Sequence, residues 1–214
     1  MSGKEAGNGR RLPRRLSKNE INACPITKWQ GPVHVIRTAG EMADAVRHLA
    51  KETLLGFDTE TRPAFKKGES YPPSLLQLAG GQGVFIFQLQ HLGLPKPLRS
   101  LLAQPEITKA GVALTYDLRE LQQLAPFHPA RCVDLGRMAK EAGLQNQGLR
   151  GLAAVLLGLR ISKAAQTSNW ARSTLTPPQI RYAATDAWLG RALYQKLLQV
   201  RDSGDSAGYD IRNS

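Results

Sequence analysis

Asp58 and Glu60 close a short apolar run in Leu54-Leu55-Gly56-Phe57-Asp58-Thr59-Glu60. If that run is a strand, residues two apart share a face. Two carboxylates then stand side by side at the end of a buried element, and they repel unless a cation bridges them or solvent relieves them. Asp117 follows the apolar segment Ala110-Gly111-Val112-Ala113-Leu114. Asp117-Leu118-Arg119-Glu120 also fits an N-terminal capping box, so Asp117 reads as a cap, a ligand or both. Asp186 sits among Ala183, Ala184, Ala187 and Trp188, a composition that implies close packing. A buried charge there needs a partner, either a cation or an internal salt bridge to Arg181 or Arg191. Tyr182 lies one helical turn before it, on the same face; alone it would read as a half-buried core aromatic.

The chemistry that needs this set is metal-assisted phosphodiester hydrolysis. Two divalent cations about 4 Å apart can clamp the attacking and leaving oxygens of an in-line displacement. Mg²⁺ and Mn²⁺ prefer carboxylate oxygens and water. Acids converging from different elements meet that need, and a tyrosine hydroxyl can orient the attacking water.

The elements that must position these residues alternate along the chain. Val33–Ile36 reads as a strand, Glu41–Ala50 as a helix with Met42, Val46 and Leu49 on one face, and Thr53–Thr59 as a strand. Pro63–Pro73 reads as a loop. Ser74–Leu78 and Val84–Gln88 flank Gly80-Gly81-Gln82-Gly83, a hairpin signal. Leu98–Leu102 is helical, Ile107–Leu114 extended, Asp117–Leu124 helical, and nothing after Asp134 reads as a strand. Asp134 reads as a helix cap. Thr176-Pro177-Pro178-Gln179 specifies a helix start, with Thr at the cap, Pro at the first position and Gln at the third, and the helix can run to about Val200. Strands early and helices late predict an α/β domain with a mixed central sheet.

The 214 residues suffice for one domain with a sizeable core, and 42% apolar with 21% charged residues is ordinary for a globular protein. No apolar stretch reaches the roughly 18 residues of a membrane span, so no membrane partner is expected. A net charge of +12 and a pI near 10.1 suit a polyanion, of which nucleic acid is the commonest. Cys24 and Cys132 are far apart, so reduced thiols and a cytoplasmic setting are the default, with an organelle transit segment left open. His34, His48, His91 and His128 have no metal-like spacing. Residues 1–32 are expected to be a basic flexible arm, 33–200 the domain, and 201–214 a disordered tail.

Phe57-Asp58-Thr59-Glu60, Gly111-Val112-Ala113-Leu114-Thr115-Tyr116-Asp117 and Tyr182-Ala183-Ala184-Thr185-Asp186 together resemble the three motifs of the DEDDy-type 3′–5′ exonucleases. That group belongs to the DnaQ-like, ribonuclease H-like superfamily. Ser168-Asn169-Trp170, Leu175-Thr176 and Gln179-Ile180-Arg181-Tyr182 are similar to its Werner-syndrome-protein-like and ribonuclease D-like branches, the former especially. The resemblance covers roughly residues 33 to 200. It implies a ribonuclease H-like mixed sheet with helices on both sides and the acids at one edge. It implies Asp58 shared by two metals, Glu60 and Asp186 completing the first site, Asp117 serving the second and Tyr182 holding the nucleophilic water. The family tends to place an aromatic or Pro soon after the first motif, where this chain has Thr61-Arg62-Pro63.

The expected activity is removal of 5′-mononucleotides from a single-stranded or recessed 3′ end with Mg²⁺ or Mn²⁺. DNA is favoured, ribonuclease D-like RNA trimming is the second reading, and a non-catalytic nucleic-acid-binding module the third. Thr61, Lys66, Lys67, Lys163, Arg172 and Arg181 are candidate nucleic-acid contacts, though Lys163, Arg172 and Arg181 are also explicable as solvated helix charges.

Overall fold

The computed structural model describes residues 12–66 and 68–202. Their elements are α1 (Lys18–Ala23), β1 (Val33–Ile36), α2 (Ala39–Leu49), β2 (Leu54–Thr61), β3 (Pro73–Ala79), β4 (Val84–Gln88), α3 (Leu89–Leu92), α4 (Lys96–Leu102), β5 (Thr108–Gly111), α5 (Leu114–Leu124), β6 (Cys132–Asp134), α6 (Leu135–Glu141), α7 (Leu149–Leu157) and α8 (Pro177–Asp202).

The strands form one mixed sheet in the order β1-β4-β3-β2-β5-β6. β2, β3 and β4 make an antiparallel meander, while β1, β5 and β6 join parallel to β4, β2 and β5. β3 and β4 are buried along their whole length, so they read as nearly continuous apolar runs rather than alternating ones. Alternation sorts their side chains between two cores. Leu76, Leu78, Phe85 and Phe87 pack with Met42, Leu49, Leu98 and Leu101 on one side. Leu75, Ala79, Val84 and Ile86 pack with Ala183, Ala184, Ala187 and Trp170 on the other. The mixed sheet covered on both faces agrees with the fold class expected from sequence.

The arm expected over 1–32 is corrected from Leu12 onward, because that segment is docked. Leu12 and Leu16 pack on the core beneath α7, and the Asn146 carboxamide both accepts from the Leu16 N–H and donates to the Leu16 carbonyl. Ser17 and Glu20 form a reciprocal capping box that starts α1. Ile26 bridges to Arg160, and the Trp29 N–H donates to the Thr185 hydroxyl at 3.0 Å. Composition hid this, since the basic residues are exposed while a few apolar and capping residues do the docking. Lys4, Arg10, Arg11 and the tail from residue 203 lie outside the described residues. Cys24 and Cys132 are free thiols. Among the described residues no helix is long and apolar enough to cross a membrane.

Candidate active site

β2 carries the first two acids to a break in the sheet. It pairs with β3 along Gly56–Thr61 but with β5 only over Leu54–Gly56. Past Gly56 the two parallel strands part, and in α/β sheets a ligand crevice forms outside the carboxyl ends of such strands. Asp58 and Glu60 share the face that Gly56 presents to α8; Thr59 faces the other way.

Close backbone approach places α8 on that face. A Cβ on Gly56 would collide with the Ala187 carbonyl oxygen and lie 2.7 Å from the Arg191 nitrogen. One on Gly190 would lie 2.5 Å from the Ala110 carbonyl oxygen. The glycines therefore let the helix rest directly on β2 and β5. The α8 start is fixed by Thr176 and Gln179: the Thr176 hydroxyl accepts from the Gln179 N–H at 3.4 Å, and the Gln179 carboxamide oxygen accepts from the Thr176 N–H at 3.0 Å. This is the capping box expected from sequence. Gly56→Ala should push α8 off the sheet and cost about 1–3 kcal/mol, the usual range for overpacking. Thermal melts should show the loss, and turnover should fall with it as Asp186 moves from Asp58. Unchanged melting and turnover would mean the helix position tolerates a methyl group.

Asp58, Glu60 and Asp186 each offer a carboxylate oxygen within 4.8 Å of the others. Asp186 is 6% exposed, and its Oδ1 has no hydrogen-bond partner. The salt-bridge alternative is not what the structure forms. The Arg191 guanidinium donates to the Leu54 carbonyl and pairs with Glu52 at 3.5 Å, and Arg181 makes no ion pair among the described residues.

Asp117 stands beside this triad rather than within it. It is corrected from cap to first-turn residue, because α5 begins earlier, at Leu114, after Ala113 in the left-handed region (φ 60°). The Leu114 N–H is satisfied instead by Asp134, whose carboxylate also accepts from the Gly136 and Arg137 N–H groups and so caps α6 as expected. Asp117 is then free to accept from the Thr59 hydroxyl at 2.7 Å.

The acids perturb one another strongly. Burial, then the charges of Asp186, Glu60 and Asp117, push Asp58 well above the usual carboxylate range. Burial with Asp186 and Asp117 raises Glu60 to about 9. Burial raises Asp186 to about 7, against a lowering hydrogen bond from Tyr182. Burial raises Asp117 to about 6, opposed by the Thr59 hydrogen bond. Burial and the neighbouring acids, Asp186 first, also raise the Tyr182 phenol. Carboxylates this close cannot all ionise near neutrality without compensation. An all-oxygen donor set with an orphaned buried Oδ1 fits a hard divalent cation, so the cluster could hold one.

Asp58, Glu60 and Asp186 open into a cleft of about 420 Å³ that Tyr182 and Lys163 also line. The other candidate contacts are not brought there. Thr61 ends β2 against Pro73 at a register shift. Lys66 is exposed in the following loop. Lys67 lies outside the described residues. The Arg172 carbonyl accepts from the Gln88 and Gln90 side chains, and Arg181 lines a different cavity. Two polar residues of the cleft, Arg150 and Gln166, were missed. Arg150 donates to Asn22 at 2.6 Å. Nothing in Gly148-Leu149-Arg150-Gly151 marks it, because the docked segment that meets it is distant in sequence. Gln77 is fully buried directly across the strand pair from Asp58.

Residues 33–201 match the family described as 3′-5′ exonuclease. The chain is 35% identical over 154 residues to exonuclease 3′-5′ domain-containing protein 2 of Drosophila melanogaster, covering 70% of this chain and 26% of that one. It is 34% identical over 169 residues to ribonuclease D of Gluconacetobacter diazotrophicus, covering 77% and 42%. It is 31% identical over 166 residues to the bifunctional 3′-5′ exonuclease/ATP-dependent helicase WRN of Mus musculus, covering 75% and 12%. The chain thus spans less than half the length of these curated relatives. Among solved structures, the Aedes aegypti Nibbler EXO domain superposes with TM-score 0.74 at 21% identity, covering 83% of this chain and 94% of that one. Escherichia coli RNase D superposes with TM-score 0.71 at 23% identity, covering 80% and 46%. At these identities the likeness is one of fold.

Proposed function

The chain belongs to the 3′-5′ exonuclease family, and from that membership we propose that it hydrolyses the terminal phosphodiester bond of a single-stranded or recessed 3′ end, releasing 5′-mononucleotides. The observation that carries the proposal is the triad of Asp58, Glu60 and Asp186 within 4.8 Å, one oxygen of which is buried and unpartnered. Asp58, Glu60 and Asp186 would hold one Mg²⁺ or Mn²⁺, and Asp117 would serve a second shared with Asp58. Such a pair, when bound, supplies Lewis-acid stabilisation of the attacking and leaving oxygens. Tyr182, one turn before Asp186, orients the attacking water through its hydroxyl. Lys163 and Arg150, on the cleft wall, bring positive charge to the scissile strand's phosphates.

DNA is the substrate expected from the sequence, whose motifs resemble the Werner-syndrome-protein-like branch especially. Similarity to ribonuclease D at 34% identity supports RNA as a second reading. Matched DNA and RNA strands labelled at the 5′ end, incubated with Mg²⁺ or Mn²⁺, should give ladders that shorten one nucleotide at a time from the 3′ end, and none in excess chelator. The faster ladder assigns the sugar. Intact strands of both kinds in both metals would overturn the proposal.

A further inference from the structure

A second cavity, of about 320 Å³, shares Ile161, Tyr182 and Asp186 with the acidic cleft. One of its walls comes from Ile26, Thr27 and Lys28, which precede the family match at residues 33–201. This wall is built in: backbone hydrogen bonds tie residues 25 and 27 to Arg160, at 2.9 and 2.8 Å. The Trp29 N–H then donates to Thr185, one residue before Asp186. The Trp29 ring packs 5.8 Å from Trp188. The segment that shapes the cavity is thereby coupled to the helix that carries Tyr182 and Asp186.

Away from Asp186, Tyr182 and Thr185 on the side shared with α8, and beside the hydroxyl residues Thr27 and Ser162, the lining combines apolar and cationic groups. Ile26, Ile161, Ala164, Ala165, Pro177 and Pro178 give apolar surface, of which Ile26 is exposed. Lys28 and Arg181 bring two cations, and among the described residues neither has an ion-pair partner. An apolar pocket of this size with a few charged groups is the form of a small-molecule site. Unpaired Lys and Arg beside it select an anionic ligand, with phosphate the best match to their donors.

We propose that this cavity takes one nucleoside monophosphate unit, its base against the aliphatic wall and its phosphate between Lys28 and Arg181. The inference rests on the exonuclease reading for its choice of anion. Two sources share that chemistry: a free 5′-mononucleotide, or a nucleotide of the substrate strand whose 3′ end lies in the adjoining cleft.

The test uses the full chain, with AMP and dAMP as probes in excess chelator, and tryptophan emission or calorimetry as the readout. Lys28→Gln removes one cation, and Ala164→Leu fills the cavity from an exposed position; melting curves establish that both fold. Binding of either mononucleotide, weakened about tenfold or more by each substitution, supports the free-ligand source. No binding of free mononucleotide, but a KM for oligonucleotides raised about tenfold by both substitutions in Mn²⁺, supports the strand source. Mononucleotide binding that responds to Glu60→Gln and not to Lys28→Gln places the ligand in the acidic cleft and overturns the inference, as does an absence of effect in both arms. Lys28-dependent mononucleotide binding in a chain that hydrolyses no strand would leave the cavity standing and remove the exonuclease reading alone.

Discussion

Asp186→Asn should abolish strand hydrolysis while leaving a folded protein that is more stable than its parent in chelator. The two side chains are nearly isosteric, so the packing among Ala183, Ala184 and Ala187 is retained. What is lost is a negative oxygen donor to the proposed cation; removing even one preorganised hydrogen-bond donor to a transition state costs about 10²–10³-fold in kcat, so a larger loss is expected here. The stability gain has a definite pH dependence. In the folded chain burial raises the Asp186 carboxyl from its ordinary 3.8 to about 7. The folded state then binds the proton more tightly than the unfolded one, so its contribution to stability is complete below about pH 4 and declines as pH rises towards about 7. Asparagine does not titrate. The difference in Tm, variant minus parent, should grow from near zero at pH 4 to a plateau above pH 7. Saturating Mn²⁺ should reverse the order, because only the parent gains the full stabilisation of a bound ion. Melting curves at four pH values with chelator, and one set with Mn²⁺, check both signs. A variant that unfolds in chelator at pH 8 would mean that Asp186 holds the fold together rather than waiting for a cation.

The sequence made the acids legible because each belongs to a local pattern. Asp58 and Glu60 show the strand period of two, and Tyr182 and Asp186 the helical turn, anchored by the Thr176–Gln179 cap. Their convergence was not legible from spacing alone. It depends on Gly56 and Gly190, where the absence of a side chain lets backbone meet backbone, and glycine in a sequence does not announce what it faces. Asp117 misled because a carboxylate three residues before a glutamate has the form of a cap. The cap was supplied from 20 residues away by Asp134, a contact no local pattern records. The docked segment from Leu12 to Gly31 was hidden for a related reason. Its basic composition reflects its exposed residues, whereas Leu12, Leu16, Ser17 and Trp29 attach it. The Ser17-x-x-Glu20 pattern was a readable signal for α1 that composition outweighed. Lys163 reached the cleft and Arg172 and Arg181 did not, because sequence proximity to a motif says nothing about which side of a loop or helix a side chain occupies.

Tyr182→Phe should slow the chemical step by about 10²–10⁴-fold, the range for a positioned proton-transfer or water-orienting group. The substitution keeps the ring, which packs 5.8 Å from the fully buried Trp170, and deletes only the hydroxyl. That hydroxyl interacts with Asp186, and the nearby charges of Glu60 and Asp58 act on it. It therefore lies beside the carboxylates proposed to hold the cations, which is the position the proposed water-orienting role requires. A core role predicts a different result, with at most a modest stability loss and an unchanged rate. Because no carboxylate is removed, the Mn²⁺ concentration giving half-maximal rate should barely move, and strand affinity in a gel shift should hold. The loss should fall equally on kcat and kcat/KM, the mark of an interaction made in the transition state alone. Single-turnover kinetics with a 5′-labelled strand separate this from slow product release. A Phe variant with parental single-turnover rate would take Tyr182 out of the reaction and leave activation of the water to the groups held by Asp58, Glu60 and Asp186.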